Sequence, residues 1–153
     1  MDPKKIATNK KAFRDYFFSE KWECGLELKG SEVKSLRASE VSFTDSFARV
    51  EQGQVILYNL HIAPYQQGSY FNLEPTRPRR LLLHKKEIMR IETHMSQKGL
   101  ALIPTRIYFN RRGLAKVELA LGRGKKLFDK REDIKKRDVD REIKRAVRHQ
   151  RKR

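Results

Sequence analysis

From Gly122 to the end, the chain carries fifteen Lys or Arg against six Asp or Glu, a local net of +9 out of +17 for the whole. Few apolar residues accompany them. Such a segment cannot bury enough surface to offset the entropy of ordering itself. Whatever folds around a core must therefore lie in residues 1–122, which is enough for one domain. This predicts a body over 1–122, with 1–8 a loose N-terminal arm. Residues 123–153 form a basic tail, disordered when free and ordered only against a polyanion. A positive field of this size favours phosphate backbones and makes nucleic acid the leading partner class.

Within the body the hydrophobic period changes several times. Asn9 is a helix cap, with Phe13, Tyr16 and Phe17 at i, i+3 and i+4 as the buried stripe. Trp22, Cys24, Leu26 and Leu28 then alternate with polar residues or glycine, as in a half-buried strand. Gly30-Ser31 opens a second helix with Val33 and Leu36 inward. A hairpin follows, Phe47 to Glu51 and Val55 to Ile62, turning at Gln52-Gly53. Residues 63–79 hold three prolines and a glycine and read as a long loop. Arg80 to Leu83 is extended and leads into a helix with the stripe Ile88, Ile91, Met95, ended by Gly99. Leu100–Phe109 and Leu114–Leu121 are the last strands, with Lys116 and Glu118 outward. The fold class is mainly β with short helices. Without βαβ alternation, an OB-like antiparallel six-stranded barrel with three helices fits best.

Catalytic signals are weak. Gly122-Arg123-Gly124-Lys125-Lys126 lacks the first glycine of a phosphate loop, and Lys126 stands where Ser or Thr should bind magnesium. The four histidines have no ligand spacing, and no nucleophile motif is visible. This predicts no enzyme, no metal and no cofactor. Cys24 stands alone and reads as a small core residue. The start of the chain leads into no apolar segment, and no run approaches a bilayer span. A cytosolic chain without a membrane partner is expected.

The basic clusters say more. Asn9, Lys10 and Lys11 could meet a phosphate at a helix start, although an ordinary capped helix end has the same pattern. Arg77, Arg79 and Arg80 flank stiffening prolines, a spacing suited to successive phosphates. Tyr65, Tyr70 and Phe71 lie just upstream, as stacking residues or as loop residues tucked onto the barrel. In the tail, Gly124, Lys125 and Lys126 form a flexible basic joint. Phe128 follows with no apolar neighbour but Leu127. Ile134, Val139, Ile143 and Val147 recur at near-helical intervals, too thin a stripe to dock alone.

Longer motifs make the chain familiar. Ile6-Ala7-x-Asn9-Lys10-Lys11-Ala12 and Glu23-x-Gly25-Leu26-x-Leu28-x-Gly30-x-Glu32-Val33-Lys34-Ser35-Leu36-Arg37 resemble the SsrA-binding protein family, also called small protein B. So do Asp45-Ser46-Phe47, Pro75-Thr76-Arg77-x-Arg79-Arg80-Leu81-Leu82-Leu83, and Gly124 to Arg131. The resemblance implies a bacterial, OB-like barrel that binds the tRNA-like domain of transfer-messenger RNA. It implies delivery with elongation factor Tu, through that RNA, to the A site of a stalled ribosome. It also implies a tail that becomes helical in the small-subunit decoding centre and vacant mRNA channel. By the same resemblance Asn9, Glu23, Leu82 and Lys116 are RNA-binding positions, and Asp129, Lys130 and Arg131 match a ribosomal tail signature. Phe128 departs from the His or Tyr of other members. Alternation independently turns Glu23 and Lys116 outward, whereas it leaves Leu82 open between surface and core. The rival readings are a general single-strand-binding OB module and an RNA-processing enzyme, for which no acid–base or metal site is visible.

Overall fold

The computed structural model describes residues 4–65, 74–96, 99–125 and 127–151. Its strands are β1 (Lys4–Thr8), β2 (Tyr16–Leu26), β3 (Val41–Ser42), β4 (Phe47–Glu51), β5 (Gln54–Tyr58), β6 (His61–Ile62), β7 (Arg79–Leu82), β8 (Leu100–Phe109) and β9 (Ala115–Gly124). The helices are α1 (Lys10–Asp15), α2 (Gly30–Arg37), α3 (Lys85–Met95) and α4 (Leu127–Arg151). Six strands close a ring in the order β8-β4-β5-β7-β2-β9 and back to β8, every pairing antiparallel. The mainly β, OB-like class read from the sequence matches this ring. β3 and β6 form a separate two-stranded sheet.

Alternation builds the core. Cys24, Val55, Leu57, Leu81, Ile107, Val117 and Leu119 point into the ring, and Leu36 of α2 and Ile91 of α3 join them from outside the sheet. Burial pushes the Cys24 thiol up to about 12. The thiolate is the reactive form, so native protein should resist iodoacetamide at pH 8. Protein unfolded in guanidinium should label fully under the same conditions. Equal labelling rates in the two states would contradict the buried placement.

Several expectations need correction. The supposed loose arm is β1, which pairs with β8 from Lys4↔Phe109 to Thr8↔Arg106. It has no clear alternation because a register shift falls between Lys5 and Ala7. α1 stops at Asp15; Tyr16 takes extended backbone angles, so Tyr16 and Phe17 belong to β2 and not to a helical stripe. Aromatic residues suit a strand at least as well as a helix. The strand drawn from Val55 to Ile62 breaks at Asn59, which sits at φ +62 and donates from Nδ2 to Asp45 O. Asparagine tolerates that left-handed conformation.

The body also runs further than 122. β9 continues to Gly124, and Lys125 N donates to Asp15 O at 2.8 Å. Gly124 and Lys125 are therefore anchored to the body and do not form a free joint. Beyond them the backbone runs on as α4. Its Lys, Arg and Glu are good helix formers, and Glu132/Lys136 and Asp140/Lys144 stand at favourable i, i+4 spacing. Ile134, Val139, Ile143 and Val147 stay exposed, and Arg137 Nη2 reaches Phe13 O at 3.3 Å. The helix thus leans on α1 without burying any of these four apolar residues.

Candidate nucleic-acid interface

Strand register assembles one row of residues across five strands. Lys5 of β1 stands opposite Tyr108 of β8, Tyr108 opposite Lys116 of β9, Lys116 opposite Gly25 of β2, and Gly25 opposite Leu82 of β7. Residues directly opposite share a face. Their chain neighbours Ile107, Val117, Cys24 and Leu81 are buried, so the row faces outward. Leu82 is 47% exposed, which settles the alternative left open by the sequence in favour of the surface. Gly25 lets it lie flat: a Cβ there would come 3.0 Å from Leu82 Cβ.

The adjoining row sets Glu23 opposite Glu118 and Glu118 opposite Arg106. Two carboxylates directly opposite would repel. The structure separates them by giving each its own partners. Tyr108 Oη donates to Glu23 Oε2, while Glu118 lies 3.5 Å from both Lys21 Nζ and Arg106 Nε. Burial, then the Glu23 carboxylate, holds the Tyr108 phenol well above its ordinary range, so it stays a donor. Phe13 of α1 closes this end of the face, with Lys21 Nζ and Arg106 Cζ each 5.6 Å from its ring centroid. Three cations, Lys5, Lys21 and Arg106, thus face two carboxylates around a shallow open cleft, and Lys116 stands opposite its Tyr108 in register. This arrangement suits phosphates at its edges and a base or ribose hydroxyl near Glu23 and Tyr108.

Three of the four positions implied by the resemblance, Glu23, Leu82 and Lys116, come together here. Asn9 does not. It is buried, donates from Nδ2 to Pro104 O at 2.9 Å and accepts from Ala12 N at 3.2 Å, so its side chain ties α1 to β8. Lys10 and Lys11 are exposed on α1, away from the row.

The arginine triplet separates too. Arg79 is fully buried, with Nε 2.6 Å from Glu32 Oε2 and its Nη groups on Leu60 O and Pro75 O. It is removed from any set of phosphate ligands. Arg77 is half-buried and bonds both oxygens of the same Glu32. Only Arg80 lies outward, 2.9 Å from Glu27 and on the side of β7 that carries Leu82. Prolines interspersed with arginines gave no apolar alternation to reveal this. Tyr65 is half-buried with Lys34 Nζ 5.2 Å from its ring centroid. Tyr70, Phe71 and Lys126 lie outside the described residues, as do the side chains of Phe128, Asp129 and Lys130, whose backbone belongs to α4. Arg131 is exposed on that helix.

Lys5, Lys21, Arg106 and Tyr108 are the residues that sequence reasoning missed. The signal was present for the last two: Arg106 and Tyr108 alternate with buried Ile107 and Phe109. Among the described residues no cluster of His, Cys, Asp or Glu is placed to hold a metal ion. No described helix is long and apolar enough to cross a membrane.

The family model described as SmpB protein matches residues 6–149. The SsrA-binding protein of Caldanaerobacter subterraneus subsp. tengcongensis is 59% identical over 138 residues, covering 90% of this chain and 87% of the relative. That of Moorella thermoacetica is 56% identical over 149 residues, covering 97% and 96%. A solved structure described as "tmRNA-SmpB: a journey to the center of the bacterial ribosome" aligns with a TM-score of 0.68 and 56% identity, covering 79% of this chain and 85% of that one.

Proposed function

The chain belongs to the SmpB protein family, and on that premise we propose that it binds transfer-messenger RNA and brings it to stalled ribosomes. The observation that carries this reading is the outward row Lys5–Tyr108–Lys116–Gly25–Leu82 with Glu23 beside it. Its cations neutralise phosphates of the tRNA-like domain and fix the register of the body on a folded RNA. Glu23 keeps Oε1 for a base N–H or a 2′-hydroxyl, and Leu82 offers apolar contact. Shape is read more than sequence.

The RNA, delivered with elongation factor Tu, enters the vacant A site, and translation resumes on its own reading frame. α4 lies in the empty mRNA channel beyond the decoding centre. A helical α4 meets less ordering entropy on that entry than a coil would. The protein's contribution is binding and placement, with no bond made or broken by its side chains.

A gel-shift comparison at fixed salt tests the reading. Transfer-messenger RNA should bind far more tightly than bulk tRNA or an unstructured oligomer. Lys116→Ala should weaken that binding about five- to tenfold and lower the salt slope by about one. Its melting temperature should stay at the wild-type value. Equal affinity for all three RNAs would favour a general single-strand-binding module. A matching fall in melting temperature would make Lys116 structural.

A further inference from the structure

One aromatic residue has no part in the face described above. Phe17 is 49% exposed. Plain alternation from Trp22, Cys24 and Leu26, which point inward, would turn Phe17 to the same side as Glu23 and Lys116. It does not go there. The register of β2 against β9 shifts between Phe18 and Glu20, and beyond that bulge Phe17 stands opposite Arg123. Arg123 follows Leu119 and Leu121 by twos, and both of those are buried. The Phe17 ring therefore lies on the opposite side of the β2–β9 ribbon from Glu23 and Lys116, past the point where the core ends. Bulges commonly re-aim a side chain in this way.

The surroundings suit a nucleotide. Arg123 is exposed and pairs across to Leu100 of β8, so Phe17, Arg123 and Leu100 lie side by side on three strands. Lys125 Nζ sits 4.6 Å from the Phe17 ring centroid, and its backbone is held by Asp15 O. On the other side of the ribbon Phe18 packs on Gly122, where a Cβ would come within 2.9 Å of the ring. That contact stiffens the ribbon beneath Phe17. A single exposed phenylalanine needs no explanation. One re-aimed by a bulge, and bracketed by two cations where the basic helix begins, does.

We propose that Phe17, Arg123 and Lys125 form a second RNA contact at the root of α4, which stacks one nucleobase of a single-stranded segment and takes its flanking phosphates. A surface cation–π contact is weaker than a base–aromatic stack. Lys125 thus gives up the ring to the base and moves on its flexible stem to a phosphate. The protein then holds RNA on both sides of one ribbon: folded RNA against Glu23 and Lys116, an unpaired strand against Phe17. This rests on the reading of the chain as an RNA-binding protein, and not on which folded RNA it prefers.

The test uses the full chain and a short oligouridylate carrying one 4-thiouridine. Photo-crosslinks should map to the peptides bearing Phe17 or Arg123 and Lys125. Phe17→Leu keeps apolar bulk but loses the flat ring, and should weaken oligomer binding about tenfold. Phe17→Trp should restore it, which a merely structural role would not require. Lys116→Ala should leave these crosslinks in place while weakening the folded RNA. Wild-type affinity in Phe17→Leu, crosslinks confined to the Glu23–Lys116 side, or no binding of the oligomer would each overturn the proposal. If the oligomer crosslinks at Phe17 while transfer-messenger RNA shows no preference in the gel shift, the proposed function fails and this contact stands.

Discussion

A chain ended after Lys125 is expected to keep its fold and its hold on transfer-messenger RNA, and to lose tagging on stalled ribosomes entirely. Among the described residues, α4 meets the body through Arg137 and Phe13 O, a surface hydrogen bond, and leaves Ile134, Val139, Ile143 and Val147 in solvent. A bond of that kind contributes about 1 kcal/mol or less, so the melting temperature should fall by no more than about 4 °C. The cut belongs after Lys125 because β9 and its anchoring bond to Asp15 extend that far. It removes thirteen of the chain's cations together with six acids. Weak, non-specific RNA binding should therefore drop and lose salt dependence. At about 0.2 M salt, where long-range attraction is screened, specific affinity should stay within about threefold. Tag addition in a reconstituted stalled-ribosome reaction is the decisive readout. A more than tenfold loss of affinity for the RNA itself, or persistent tagging, would reject the division of labour between ring and helix.

The second large effect lies in the core and concerns Glu32. Its carboxylate, 5% exposed, is bonded by Arg77 and by the fully buried Arg79. Removing one partner of a buried pair strands the other, at a cost of about 3–5 kcal/mol. Glu32→Ala should thus lower the melting temperature by about 10–20 °C. Converting Arg79 to Met in the same chain should recover much of that loss, because no buried charge is then left alone. A fall of only a degree or two in the single variant would show that water reaches Arg79.

The pair also fixes a pH dependence. Burial pushes the Glu32 carboxyl up, but Arg77, the Lys29 N–H and Arg79 together outweigh it and hold it below its usual 4.5. Its stabilisation is therefore fully present above about pH 4.5 and disappears as the pH falls through the lowered folded value. Glu32→Gln should flatten that part of the acid limb of a melting-temperature profile.

Strand pattern carried most of the fold. Trp22, Cys24 and Leu26, or Val117, Leu119 and Leu121, alternate so regularly that their burial could be read directly. The errors came where local pattern was silent about distant partners. Lys4–Thr8 is extended because β8 offers it an edge, and nothing within those five residues announces it. Arg79 looked like one of three surface cations because its counter-charge, Glu32, lies far away in sequence on α2. For the site, alternation turned Glu23 and Lys116 outward, but pairing placed Lys5, Tyr108 and Leu82 beside them. Register is a property of the assembled sheet, so a row across five strands is legible only after folding. Phe17 makes the same point: one extra residue at a bulge reverses the side on which a ring emerges.

Ring closure has a consequence for the company this molecule keeps. Unpaired strand edges are templates on which foreign extended chains can grow. Here all six ring strands have neighbours on both sides, and the sheet's outermost strand is β1. That strand is five residues long, opens with two lysines and is interrupted by a register shift. Short length, like charges and an irregularity each discourage strand addition. A protein that works where unfinished polypeptides are emerging would thereby offer them little to adhere to along the edge of its main sheet.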